Sequence, residues 1–484
     1  MEKYKNYKDS GIEWIGEIPE HWEVKKLKFL FDIIPSNVDK KSKENEEKVL
    51  LCNYVDVYKN DKISFDLNFM EATASNSQIE KLTLQKNDVI ATKDSEDLND
   101  IGVPALVLSD MDGVVCGYHL TLFRSKYTSL YGKYLYWFLR SNMCSQYFST
   151  LARGVTRYAL GTSAFSSLPL FYLEDNEIST ITNYLDHKTI QIDRLVDKKE
   201  QLIKLLQEER TAIINQAVTK GIPLSRSSSV VTEHSQIDAE LRSSSGAELG
   251  SSSVVTEPSR SGVEMKDSGI EWLGKIPKHW EVKKLKYVVG TPLKYGANEP
   301  AVDEIFSNPR YIRITDFGKD GKLRRDTFKS LTLEKAENYL LEQGDVLFAR
   351  SGATVGKTFL FNEYDGIACF AGYLIKAKCN PKIMNYKFLY AFTNSSGYEG
   401  WKDSISQSAT IENIGADKYN QLKLPVPPIE EQKQIINFIE SEEIRINTII
   451  TKTQQEITLL KEYKTALISE VVTGKVDIRN VVLN

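Results

Sequence analysis

The sequence predicts an α+β protein: two homologous domains separated by a pair of long antiparallel coiled-coil helices, arranged as an internal pseudo-twofold repeat. Three observations carry this prediction. A near-identical segment occurs twice, a long amphipathic stretch occurs twice, and the pieces between them keep the same order in both halves.

The first repeat is the closest. Lys8 to Leu30 (KDSGIEWIGEIPEHWEVKKLKFL) and Lys266 to Val288 (KDSGIEWLGKIPKHWEVKKLKYV) match at 18 of 23 positions with an offset of 258. The second pair is Ile181 to Ile222 against Ile435 to Val476 at an offset of 254, with Asn183/Asn437, Ile190/Ile444, Leu206/Leu460 and Thr211/Thr465 among the identities. Stepping by four and three from Ile181, apolar residues fall at Ile181, Leu185, Ile192, Leu195, Leu202, Leu206 and Ile213 and are missing at Lys188, Lys199 and Glu209. The second copy gives Ile435, Ile439, Ile446, Ile449, Leu460, Tyr463 and Leu467. A near-heptad pattern without Pro or Gly until Gly221 and Gly474 points to a coiled-coil pair rather than two separate surface helices. Over Ile181 to Thr219 such a helix is about 58 Å long at 1.5 Å per residue.

Between these repeats each half is expected to hold a strand-like piece (Tyr54 to Val57; Tyr311 to Thr315) and then an acidic-led strand (Asp88 to Ala91; Asp345 to Ala349). An Asp-Gly hairpin turn comes after it at Asp112-Gly113 and Asp365-Gly366, ahead of an apolar run with Cys116 or Cys369. An aromatic helical stretch comes next, Lys133 to Leu139 or Lys387 to Phe392. Between Ser225 and Gly262, 13 of 38 residues are Ser, and SSSVVTE occurs twice, which reads as a linker. The expected boundaries are 1–173 for the first domain with its N-terminal repeat, 174–222 for the first helix and 223–264 for the linker. They continue with 265–428 for the second domain and 429–484 for the second helix and tail.

Composition excludes several function classes. The 484 residues are 41% hydrophobic and 26% charged with a formal charge of -4, so no global positive field marks a polyanion-binding protein, and a nucleic-acid surface must be local. The cysteines Cys52, Cys116, Cys144, Cys369 and Cys379 lie far apart without a CxxC pair, which suggests neither disulfides nor zinc and favours a reducing compartment. The polar start is unlike a signal peptide, and the longest dense apolar run, Tyr134 to Leu139, is far short of the roughly 20 residues that span a bilayer. The expectation is a soluble cytoplasmic protein with no membrane association.

No catalytic motif stands out: there is no HExxH, GxSxG, GxGxxG after a strand, or Asn/Asp-Pro-Pro-aromatic motif, and the five histidines are scattered. SGATVGKT, Ser351 to Thr358, has three residues between Gly352 and Gly356-Lys357, one too few for a phosphate-binding loop, and reads as a hairpin loop carrying Arg350 and Lys357. Arg310 to Lys329 holds Arg310, Arg313, Arg324 and Arg325 with three lysines against three aspartates, a local basic face able to meet phosphates or guanine. In the first half the candidate DNA-binding residues are Arg153, Arg157 and Tyr158, within Leu151 to Phe165. The matching stretch Ser404 to Ile414 offers Gln407 and Ser408. The repeated Trp14, Trp22, Trp272 and Trp280 are expected to anchor the repeated segment to the frame.

Ile15 to Leu27 (IGEIPEHWEVKKL), Leu273 to Leu285 (LGKIPKHWEVKKL) and Leu424 to Ile435 (LPVPPIEEQKQI) resemble the specificity subunit of type I restriction–modification systems, in order and in both halves. The resemblance implies two target-recognition domains, each reading one half of a bipartite, asymmetric target in double-stranded DNA, with the two helices setting the gap. It also implies a non-catalytic chain with no cofactor of its own. Its partners would be two methyltransferase subunits, which bind S-adenosylmethionine, and ATP-dependent restriction subunits. One departure is that PPIEEQ is replaced in the first half by FYLEDN, Phe171 to Asn176, so that only Leu168-Pro169 of the motif is expected to survive. Two other readings are a solitary bivalent DNA-binding protein and a coiled-coil scaffold whose heads bind protein; steep salt dependence of DNA retention separates the last from the rest.

Overall fold

The computed structural model describes residues 2–222, 264–301, 305–318, 321–362, 364–406 and 413–482. The chain packs into two compact units, 1–200 with 453–484, and 201–452.

The repeated segment folds the same way in each unit. Tyr7–Asp9 pairs antiparallel with Glu17–Pro19, and Met265–Asp267 with Lys275–Pro277, in the same register. Asp9 accepts a hydrogen bond from the backbone of Gly11 at 2.9 Å, and Asp267 from Gly269 at 2.8 Å, so the same Asx turn closes both. The next strands, Glu23–Lys26 and Glu281–Lys284, pair with Pro169–Tyr172 and Lys423–Val426, the strands that lead into the long helices. Trp22 and Trp280 are completely buried beside them, while Trp14 is 37% exposed and stacks on Tyr147.

This frame shifts the expected alignment of the replaced PPIEEQ element by two residues. Leu27 N donates to Leu168 O as Leu285 N does to Leu422 O, and Leu170 faces Lys25 as Leu424 faces Lys283. Leu170, not Leu168, therefore takes the place of Leu424, and Glu177 takes that of Glu431. Each glutamate lies in the first turn of a long helix, where the helix dipole favours a negative charge. Glu177 accepts from His21 Nε2 at 2.9 Å, and Glu431 from His279 Nε2 at 2.7 Å. The remaining oxygen differs: Glu431 accepts from the Trp280 indole at 3.0 Å, whereas Glu177 accepts from the Tyr4 hydroxyl at 2.8 Å.

The heads share a topology that their sequences hide. In the first, an antiparallel run of strands is ordered Phe31–Pro35, Leu120–Ser125, Val89–Thr92, Pro104–Val107, with Lys62–Ile63 added parallel at the edge. In the second the order is Lys294–Tyr295, Leu374–Ala377, Asp345–Ala349, Thr358–Phe361. A parallel pair sits beside each run, Glu47–Cys52 with Met111–Cys116 and Arg310–Ile312 with Ala368–Phe370. The acid that leads the central strand closes the preceding turn in both: Asp88 accepts from Gln85 N and Asp345 from Glu342 N. Asp88 also takes a bidentate bond from Arg124, through Nε at 3.1 Å and Nη2 at 2.6 Å; burial nonetheless pushes its carboxyl above the ordinary range.

Several local expectations fail for identifiable reasons. Tyr54 to Val57 is not a strand but the start of the helix Tyr54–Lys59, which Asp56 caps by accepting from Asn53 N at 2.7 Å. Tyr311 to Thr315 stops as a strand at Ile312, and Asp316 then folds a 3₁₀ turn by accepting from Arg313 N. Neither Asp-Gly pair makes a hairpin, because the strands flanking it belong to different sheets. Gly113 lies inside the strand Met111–Cys116, at a register shift, with φ of 80°.

The long helices are Asp175–Lys220, 46 residues, and Ile429–Val472, 44 residues. Residues 175–200 of the first and 453–472 of the second lie in one unit, and 201–220 and 429–452 in the other. Within each unit they run antiparallel. Lys464 meets Asp193 at 2.7 Å and Lys199 meets Glu456 at 2.6 Å in one, and Arg445 meets Glu209 at 2.8 Å in the other. Ile181, Leu185, Ile192, Leu206 and Ile213 are buried as the spacing predicts, and Leu206 and Ile213 pack on Ile446. Tyr463 departs from the pattern at 48% exposed; Thr453 and Ile457 are buried instead. Gly474 ends the second helix with φ of 70°, where a Cβ would sit 2.5 Å from Pro19 and 2.9 Å from Trp22. Only glycine gives both the left-handed turn and the close approach.

Candidate nucleic-acid interface

Each head gathers charged and aromatic side chains where the central strand ends. In the first unit Val89–Thr92 runs into Lys93, Asp94 and Ser95, and Asp94-Ser95 pairs with Tyr158-Ala159 of the late loop. Arg153 bonds back to Ala159 through its backbone, leaving an exposed side chain. Asp94 is buried and holds the cluster together: its Oδ1 accepts from Arg157 Nε at 3.0 Å and Nη2 at 2.5 Å, and its Oδ2 from His119 Nδ1 at 2.6 Å. Arg157 is thus aimed rather than loose, and half of its side chain stays exposed. Lys93 lies 4.7 Å from the Tyr118 ring and donates to Ser36 O at 3.1 Å; burial pushes its ammonium below the usual lysine value. Arg153, Arg157 and Tyr158 therefore lie on one loop beside the end of the central strand. Lys93, Tyr118 and His119 join them unforeseen, because the acidic run Asp94 to Asp100 masks Lys93 in the sequence.

The corresponding place in the second unit holds Arg350. Its guanidinium stacks 5.0 Å from the Tyr295 ring and reaches Asn413 Oδ1 and Gly372 O at 3.4 and 3.5 Å. Ser351 bridges Asn413 as Asp94 pairs with Ala159. Gln407 and Ser408 lie outside the described residues. Lys357 is exposed but is not beside Arg350; it lines a separate cleft of about 830 Å³ with Tyr390 and Lys402. In the turn between Ala349 and Thr358, Val355 N bonds Gly352 O, Gly356 N bonds Ala349 O and Lys357 N bonds Thr354 O, so these amides are not turned toward a phosphate.

The basic run Arg310 to Lys329 is mostly internal bracing. Arg310 is buried, donates to Arg324 O and lies against the rings of Phe328 and Tyr364, so it is not a surface cation. Arg313 clamps the buried Asp316 with two bonds and donates to Thr327 O at 3.0 Å. Arg324 is tied to Asp326 at 2.5 Å on the surface, and Arg325 is exposed. The strand pairing and the tight 3₁₀ turns draw these guanidinium groups inward, which a charge count cannot show.

Among the described residues no His, Cys, Asp and Glu cluster has the form of a metal site, and no helix is long and apolar enough to cross a membrane. The five cysteines are free thiols, and burial pushes Cys369 and Cys379 up to about 12.

The type I restriction modification DNA specificity domain model matches residues 277–459, from the second repeated segment through most of the second long helix. The chain is thus similar to the specificity subunits of type I restriction–modification systems. It is 26% identical to the MjaVIII specificity subunit of Methanocaldococcus jannaschii over 41% of this chain and 43% of that one. It is 24% identical to the EcoKI specificity subunit of Escherichia coli over 42% and 44%. It thus matches less than half the length of these relatives. Two solved structures share the fold over 95% of the chain at 15% identity. One, from work on complex assembly and conformational transition of the type I system, gives a TM-score of 0.64 with 99% of that chain covered. The other, the HsdS subunit of Thermoanaerobacter tengcongensis, gives 0.55 with 98% covered. The fold shared with these two structures is the one described above, mixed helix and strand domains with two long helices.

Proposed function

We propose that this specificity subunit reads a bipartite, asymmetric sequence in double-stranded DNA, one half with each head, while the two long helices set the gap. The observation that carries the reading is the contrast between frame and loops. The repeated hairpins, the strand order and the glutamate latches agree between the heads, whereas the loops beyond the central strand present Arg153, Arg157 and Tyr158 around Asp94 in one and the neutral Ser351 and Asn413 in the other. A shared frame with different side chains at the same place suits two different half-sites, since bases are read by the pattern of donors and acceptors offered in the groove.

On this reading Arg153, Arg157, Tyr158, Arg325 and Arg350 face DNA, and Gln407 and Ser408 are further candidates for contact with it. Arg310 and Arg313 support it from behind, and Arg324, tied to Asp326, contributes little direct contact. The chain itself carries no chemical step and no cofactor. It directs two methyltransferase subunits to adenine in each half and ATP-dependent restriction subunits to cleavage, in the cytoplasm where the DNA lies. Footprinting of the assembled methyltransferase complex tests this: two protected patches with an accessible gap support it, and one continuous site of the length of a single head refutes it.

A further inference from the structure

The residue just after the central strand is basic in both heads, although the loops around it have diverged. The backbone shows that Lys93 and Arg350 occupy one position. Lys93 N donates to His119 O at 3.0 Å, as Arg350 N does to Tyr373 O at 3.0 Å. Leu160 N donates to Lys93 O at 2.7 Å, as Ile414 N does to Arg350 O at 2.7 Å. Each residue is therefore pinned between the strand after it and the late loop.

The side chains are held alike as well, each beside a tyrosine ring and a backbone carbonyl, with Tyr118, 48% exposed, next to Lys93 and Tyr295, 40% exposed, next to Arg350. Ordering on a ring lowers the entropy cost of a contact. Among the described residues Lys93 retains two N–H donors beyond its bond to Ser36, and Arg350 makes only long bonds. Asp94, next to Lys93, is already engaged by Arg157 and His119, and its counterpart is the neutral Ser351.

The loop residues after the two cations differ between the heads; the positive charge does not. Base edges differ between two half-sites, but the phosphate backbone is the same in both, and a phosphate accepts lysine or arginine, whereas bidentate base reading does not tolerate the exchange. We propose that Lys93 and Arg350 are a matched pair of phosphate anchors, one per head, that grip DNA independently of its sequence while neighbouring loop residues read the bases. This rests on the DNA-reading function proposed above.

The test measures binding of the full chain, with its methyltransferase partners, to a mixed-sequence 40-base-pair duplex across a salt series. Lys93→Gln and Arg350→Gln are each expected to reduce the log–log salt slope by about 0.9, the share of one phosphate contact, with the methylated sequence unchanged. Lys93→Arg and Arg350→Lys are expected to keep the wild-type slope and affinity. Unchanged slopes in both glutamine variants overturn the pair. So does a swap that weakens binding to one half-site sequence alone, because that is the behaviour of a base reader. A bracing role alone would lower the melting temperature of the glutamine variants and leave the slope intact, which also overturns it. If the wild-type complex itself shows no salt-dependent binding, the DNA-reading function fails with it.

Discussion

Replacing Trp280 and Trp22 separately with phenylalanine tests how the two copies of the frame are held. Both indoles are completely buried, so each change removes a similar amount of apolar packing, about 1–2 kcal/mol. The polar terms have opposite signs. Trp280 donates to Glu431 at 3.0 Å, and a bond to a charged acceptor contributes about 1.5–3 kcal/mol. The indole N–H of Trp22 is shielded and has no partner among the described residues, because Tyr4 takes the Glu177 oxygen that its counterpart uses. Removing that donor relieves about 1–3 kcal/mol. Trp280→Phe should therefore cost about 3–5 kcal/mol and Trp22→Phe close to nothing. With two units in one chain the readout must be local, so protection of the helix starts at 175–185 and 429–439 is measured by amide hydrogen exchange. Equal losses at both places, or a larger loss for Trp22→Phe, would mean that the two indole N–H groups do not differ in this way.

The same geometry sets further outcomes. Arg124→Leu leaves the buried Asp88 without its counter-charge and should destabilise the first head by about 3–5 kcal/mol, while Arg324→Leu, which breaks a solvent-screened surface pair, should leave the denaturation midpoint essentially unchanged. Ile446→Ala empties a site packed by Leu206 and Ile213 and should cost about 2–5 kcal/mol, visible as faster exchange in residues 201–220 and 429–452. Burial pushes the Tyr131 phenol up to about 12 from its ordinary 10. Its folded value is raised, so its contribution is complete below about pH 10 and lost as pH rises through about 12; an alkaline titration in which Tyr131→Phe leaves stability above pH 10 unchanged would contradict this. Arg310→Met should lower the melting temperature without changing the salt slope of DNA binding, and Arg153→Ala the reverse.

The long helices and the repeated hairpins were legible because they are local. A heptad pattern over Ile181 to Ile213 specifies a buried face directly, and near-identical 23-residue segments fold to matching hairpins. The head topology was legible only in outline. Strands such as Glu47–Cys52 and Met111–Cys116 pair across some sixty residues, and nothing in Asp112-Gly113 says that its neighbours belong to different sheets. Capping misled as well, since Asn53 and Asp56 turn an apparent strand into a helix. At the candidate interface Arg157 and Arg350 were visible as isolated basic residues. The burial of Arg310 and the clamping of Arg313 depend on partners distant or hidden in the fold, and Lys93 emerges only when the two strand ends are superimposed.

If two different heads read two half-sites at a fixed gap, the methylated adenines in DNA from cells carrying this chain with its methyltransferase will show it. Mapping them should return one asymmetric motif with two short specified parts, an adenine methylated in each, and a constant unspecified gap between them. A continuous or palindromic motif, or a gap that varies from site to site, would contradict it.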